Sequence, residues 1–199
     1  MLAFVPAILG GCFTGQRPSF SDEMQPATTT GEPAIDAVLA ALDADNGGPF
    51  TASYDVLTKF GNTHHTATVA VQGGQRSITV GEVRYLFSGG VASTCTLGGA
   101  CAPDTDQARI SDTGITVDFY GTSTAQRLRR DALARIAPTI SRTDTIAGQP
   151  ANCVDLGVTG GTAVYCALID GPLALLDDGD VRVVLTGFTA TVDPALLAP

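Results

Sequence analysis

Lysine is almost missing from this chain: Lys59 stands alone against ten arginines, and tryptophan is absent. Glutamate occurs only at Glu23, Glu32 and Glu82, and histidine only as the adjacent pair His64 and His65, while the formal net charge is -9. Each shortage removes a class of function. An acidic chain without clustered cations cannot neutralise a run of phosphates, which excludes nucleic acid as a partner. The same shortage leaves no polybasic patch for a membrane surface. No Gly-x-Ser-x-Gly elbow and no phosphate-cradling glycine loop occurs. Side chains of neighbours in a strand point to opposite faces, so His64 and His65 do not serve one site. With no nucleophile beside a base, the chain reads as a binding protein and not an enzyme, with no cofactor and no metal. Two acidic stretches, Asp43-Ala44-Asp45-Asn46-Gly47-Gly48 and Asp177-Asp178-Gly179-Asp180, resemble parts of calcium loops. The first has its glycine one residue early and Tyr54 where a closing glutamate belongs; the second reads as a hairpin turn.

What is present begins at the front. Met1-Leu2-Ala3-Phe4-Val5-Pro6-Ala7-Ile8-Leu9-Gly10-Gly11 is an apolar run, too short for the roughly 20 residues that span a bilayer but suited to the heart of an export signal. It ends at Cys12, and Leu9-Gly10-Gly11-Cys12 resembles a bacterial lipobox, whose cysteine is acylated. No Lys or Arg precedes Cys12, which departs from the charged start of such signals. The resemblance implies residues 1–11 as signal segment and an extracytoplasmic chain held on the bacterial cell membrane by a lipid on Cys12. Stable anchoring needs more than one acyl chain, and a diacylglyceryl group supplies two. Pro18, Pro26 and Thr28-Thr29-Thr30 then replace periodic apolar positions, so residues 12–31 read as a flexible tether. Residues 32–199 are enough for a single domain with a sizeable core.

Apart from Cys12, the cysteines form an even set: Cys95, Cys101, Cys153 and Cys166. Four cysteines allow three pairings, and the local one joins Cys95 to Cys101 and Cys153 to Cys166. Neither pair has the spacing of a zinc knuckle. Disulfides belong to an oxidising compartment, in agreement with an exported chain.

Periodicity supplies the elements. Pro33 suits a first helical turn, and Ile35, Val38, Leu39 and Leu42 form a helical stripe that Asp45-Asn46-Gly47-Gly48-Pro49 stops. From Phe50 the period becomes two: Phe50, Ala52, Tyr54 and Val56, then Ala67, Val69 and Val71, then, past Gly73-Gly74, Ile78 and Val80, then Val83, Tyr85 and Phe87. A second helix is expected from about Thr122, with Ser123 and Gln126 as a capping box, Ala125, Leu128, Ala132 and Ile136 on one face, and Pro138 as its end. Arg127, Arg130 and Arg135 belong to its solvated side. Hairpins over 152–169 and 173–185 follow. This order predicts an α+β fold, with one twisted antiparallel sheet and helices packed on its apolar face.

The order of elements from Ile35 onward, with Ile146-Ala147-Gly148-Gln149-Pro150-Ala151 leading into paired strands and the ending Val192-Asp193-Pro194-Ala195-Leu196-Leu197-Ala198-Pro199, resembles the LolA-like family of envelope lipoprotein carriers and its relatives of the LppX and LprG type. The resemblance implies a half-barrel, a curved antiparallel sheet with helices on its concave face, enclosing a cavity for a lipid or other apolar ligand. Val69, Val71, Ile78, Val80, Val83, Tyr85 and Phe87 would line it. The alternative is a tethered module of the cell envelope that recognises another envelope protein or regulates a sensor, with those residues in a filled core.

Overall fold

The computed structural model describes residues 29–44, 48–169 and 171–198. The signal segment, Cys12, most of the tether and the stop signal at 45–47 lie outside the described residues. Helix α1, Pro33–Asp43, has proline at its start and buries Ile35, Val38, Leu39, Ala41 and Leu42. Its first turn is tied down by Asp36, whose carboxylate accepts from the Thr30 amide at 2.7 Å and the Thr30 hydroxyl at 2.8 Å. Those hydrogen bonds, the amide's first, hold the Asp36 carboxyl below its ordinary range.

Six strands then run as an antiparallel meander: β1 (Phe50–Thr58), β2 (Thr63–Gln72), β3 (Gln75–Val80), β4 (Val83–Ser88), β5 (Val91–Thr96) and β6 (Cys101–Pro103). Gly73 and Gly74 make the β2–β3 turn with φ of 57° and 80°, a conformation that favours glycine at both positions. A 3-10 segment, Gln107–Thr113, and helix α2, Thr122–Ala134, lead to the second meander. That one comprises β7 (Ile140–Ile146), β8 (Gln149–Val158), β9 (Gly161–Leu168), β10 (Leu173–Asp177) and β11 (Val181–Thr189). The last strand pairs with the first, so the sheet has 11 strands in the order β6-β5-β4-β3-β2-β1-β11-β10-β9-β8-β7.

Register decides which face is apolar. Ala52 faces Val69, Val69 faces Ile78 and Ile78 faces Tyr85, an inward row across four strands. On the other meander Leu176 faces both Tyr165 and Val183, and Tyr165 faces Val154. Register shifts at Ser53/Tyr54 against β11 and at Leu173/Leu175 against β9 add bulges near the middle of the sheet, and bulges bend the strand that carries them. The result is a curved α+β half-barrel whose concave side holds one continuous core, α1, α2 and residues 110–119 packing into it.

Three parts differ from the sequence reading. Strands β5, β6 and β7 and the 3-10 segment lack a usable period: β7 is Ile-Ser-Arg-Thr-Asp-Thr-Ile, exposed along nearly its whole length. The capping box at Ser123 and Gln126 does not form. Gly121 is the residue before α2, no side chain caps it, and the Ser123 hydroxyl instead accepts from Thr116 at 2.9 Å. Helix α2 also ends at Ala134, before Pro138, because the chain is drawn onto β8: the Ile136 amide donates to the Gly157 carbonyl at 2.8 Å. Ile136 therefore leaves the buried stripe and is 72% exposed. Gly157 permits this approach, since a Cβ there would stand 2.9 Å from that of Ala137.

Both local cysteine pairs are disulfides, Cys95–Cys101 and Cys153–Cys166, each joining directly opposed residues of neighbouring strands. They mark a chain that matures in an oxidising, extracytoplasmic compartment. Among the described residues, no helix is long and apolar enough to cross a membrane.

Candidate ligand site at the open end of the half-barrel

The seven residues expected to line a cavity all point to the concave side, but they do not share one surroundings. Val69, Ile78, Val80, Val83 and Tyr85 are buried in the core, whereas Val71 and Phe87 are partly buried at one end of it. The segment from Asp104 to Gly121 packs into the same core and is tied directly to Tyr85. Ile110, Ile115, Val117 and Phe119 supply its apolar contacts, and the Phe119 ring meets Tyr54 edge-on at 5.0 Å between centroids. Polar ties hold its edges. The Tyr85 hydroxyl donates to the Asp106 carbonyl at 2.8 Å, and the Thr58 hydroxyl donates to the Thr113 carbonyl at 3.0 Å.

At the end where Val71 and Phe87 lie, the cover does not close. A cleft of about 490 Å³ opens there between the end of α1, the β2–β3 turn and the chain entering α2. Its wall includes Leu42, Asp43, Val71, Arg76, Asp118 and Tyr120. The Arg76 guanidinium stands 4.1 Å from the centre of the Phe87 ring and 2.9 Å from the Asp118 carboxylate, so one side chain ties sheet to cover across the cleft's edge. Gly121 brings the cover against α1, where a Cβ would stand 3.0 Å from the Leu42 carbonyl oxygen. A second, smaller cleft of about 210 Å³ opens on the other flank of the cover, walled by Ile115, Phe119, Arg127, Arg130 and Leu176.

Arg76 was not singled out by sequence. The signal was there: the alternation that turns Ile78 and Val80 inward turns Arg76 inward too, an isolated charge on an apolar face. Asp118 and Tyr120 lie in irregular chain, where no period locates them.

The remaining polar candidates are spoken for or scattered. His64 and His65 sit in β2 on opposite faces, His64 Nδ1 3.5 Å from Asp55 and His65 opposite Val56. Asp43 pairs with Arg129. Asp177 pairs with Lys59 at 2.7 Å and Arg182 at 3.3 Å, and Asp178 pairs with Arg127 while accepting the Asp180 and Val181 amides of its own turn. Arg135 lies 4.0 Å from Glu32. Among the described residues no group of three potential metal ligands converges. Burial, more than the carboxylate of Asp131 that accepts from it, pushes the Tyr165 hydroxyl's pKa far above its ordinary value. Burial does the same to Tyr54, whose hydroxyl donates to the Leu173 carbonyl at 3.0 Å.

No protein-family model and no curated protein sequence matches the chain. Among solved structures, the chain is similar to MucB in complex with MucA(peri), at 13% identity and a TM-score of 0.48, over 84% of this chain and 59% of that one. The Pseudomonas aeruginosa MucA/MucB complex gives 15% identity and a TM-score of 0.41, over 84% and 62%. A LolA-superfamily protein from Nitrosomonas europaea gives 8% identity and a TM-score of 0.32, over 84% and 97%. The chain thus spans about three fifths of the length of the MucB chains it matches.

Proposed function

We propose that this protein is a non-catalytic binding protein of the bacterial cell envelope, held to the membrane by a lipid on Cys12, that takes a lipid acyl chain or a similar apolar ligand at the open end of the half-barrel. The carrying observation is the cleft at Val71 and Arg76, which opens beside the buried concave face at the end of the irregular cover. Its volume of about 490 Å³ falls within the range of ligand pockets. The apolar residues behind it, Val69, Ile78, Val80, Val83, Tyr85 and Phe87, would meet the ligand when the 104–121 segment moves aside. Opening it would lift Ile110, Ile115, Val117 and Phe119 out of the core, so ligand entry would be coupled to a local unfolding step of this segment.

A second reading has its own observation. The described concave face is filled by the chain's own residues, which favours recognition of another envelope protein by the outer surface. One experiment separates the two. The full chain is purified from a bacterial host with disulfides intact, then weighed by native mass spectrometry before and after organic extraction. A bound lipid of defined mass is expected, and Val71→Asp should lower its occupancy at least about tenfold, since a buried charge beside an acyl chain is strongly unfavourable. An apo mass that stays unchanged after exposure to envelope lipids would overturn the ligand reading.

A further inference from the structure

The two edges of the sheet are built differently. The β6 edge is three residues long, ends in Pro103 and is pinned to β5 by the Cys95–Cys101 disulfide. Such features blunt an edge. The β7 edge is seven residues long, has neither proline nor disulfide, and among the described residues is paired with β8 on one side only. Leu133, Ile136 and Ile140, in the stretch that feeds and begins this strand, are 90%, 72% and 64% exposed. The Ile136 contact with Gly157 places that residue along the same edge.

The sequence of β7 says what could pair with it. Ile140-Ser141-Arg142-Thr143-Asp144-Thr145-Ile146 reads as its own antiparallel complement about Thr143. Two copies related by a twofold axis through Thr143 oppose Ile140 to Ile146, Ser141 to Thr145 and Arg142 to Asp144. A twofold interface needs such self-complementarity, because each residue meets the counterpart of its own partner. Strand alternation puts Ile140, Arg142, Asp144 and Ile146 on one face of the joint and the three hydroxyl residues on the other. Apolar, hydroxyl and opposite-charge pairs are the stabilising cross-strand types. The adjacent registers on the same face are penalised: an axis through Arg142 stacks arginine on arginine, and one through Asp144 stacks aspartate on aspartate. Arg142 already pairs with Asp155 of its own chain, so in the joint its guanidinium lies between two carboxylates.

We infer that β7 is a self-docking edge, through which a second copy of this chain pairs antiparallel about Thr143 and extends the sheet across two molecules. The inference is independent of the ligand proposed above, since β7 lies at the sheet edge farthest from β6 and away from the cleft residues.

The test uses the full chain with Cys12→Ser, which removes the fifth thiol. Thr143→Cys places two thiols on the axis and should oxidise to a covalent dimer. Ser141→Cys faces Thr145 and should give at least about tenfold less, with both native disulfides intact by mass. Asp144→Arg opposes two arginines and should weaken dimerisation, measured by sedimentation, at least about tenfold. The exchange Arg142→Asp with Asp144→Arg, made together with Asp155→Arg so that the pair within the chain is also reversed, should restore it. A monomer at all concentrations, equal cross-linking at both cysteine positions, or no rescue by the exchange would overturn the inference. So would protection of β7 by a bound peptide from another protein while the chain itself stays monomeric.

Discussion

The two meanders of the sheet are covered by different kinds of chain. Over β7–β11 lie two regular helices, whose backbone groups are satisfied internally and whose stripes (Ile35, Val38, Leu39 and Leu42; Ala125, Leu128 and Ala132) meet the sheet. Against β1–β5 packs the 104–121 segment, with short 3-10 structure and its backbone tied off by side chains such as Tyr85, Thr94 and Thr58. A helix leaves its contact area to apolar packing. An irregular cover must spend side-chain hydrogen bonds from the sheet on holding its own backbone, so the same apolar face below is sealed less firmly. The difference explains why both clefts flank that cover.

Removing the staples tests the contrast most strongly. Replacing Cys153 and Cys166 by alanine should cost about 3 kcal/mol, and replacing Cys95 and Cys101 about 2 kcal/mol, because the second closes a shorter loop. Urea unfolding of the two double variants measures both, and equal losses would argue against the chain-entropy account. Next come the tyrosines. Tyr165→Phe removes a donor from the Asp131 carboxylate and should cost about 2 kcal/mol, whereas Tyr85→Phe releases only the Asp106 carbonyl and should cost about 1 kcal/mol. Hydrogen exchange sharpens this pair: Tyr85→Phe should speed exchange in the 104–121 cover while α2 is unchanged, and Tyr165→Phe should do the reverse.

Alkali gives a smaller effect with a defined sign. Burial raises the hydroxyl pKa of both Tyr54 and Tyr165. Their contribution is complete below the unfolded tyrosine value of about 10 and declines as pH rises above it, because only the unfolded chain can then release those protons. Ultraviolet titration should therefore show two tyrosines ionising only with unfolding. The smallest change is at Asp36, whose carboxyl is held low by Thr30. Asp36→Asn should loosen the first turn of α1 slightly at neutral pH. The gap from the parent, followed by circular dichroism, should close as pH falls through the native carboxyl's lowered value and both side chains become neutral.

How far the sequence was legible follows the same division. Where one face was apolar and the other wet, alternation located the strand and its inward residues, as in β1 to β4, whereas β8 to β11 were located as hairpins by their turn signals, because β9 and β10 are buried on both faces. Helix α1 was legible from its proline and its stripe. β7 was not, because an edge strand exposed on both faces has no alternation of polarity to display. The cover was not, because its order comes from Tyr85, Thr94 and Thr58, residues of distant strands. For the candidate site, the period placed Val71, the one of the seven expected residues that stands in the cleft's wall, but the opening could not be read: the cleft at Arg76 and Asp118 depends on where irregular chain stops short of the sheet's end.

The pairing of the first strand with the last has a consequence for how the molecule comes into being. Thr51 reaches the Thr191 carbonyl across 140 residues of chain, whereas every other strand pair of the described sheet joins sequence neighbours. Each meander can zip locally, but the seam between β1 and β11 must wait for the final strand to emerge. Long-range closure of this kind is slow. An emerging chain therefore holds two separate half-sheets with raw central edges until β11 arrives. A truncation that removes β11 would leave both halves open at the middle.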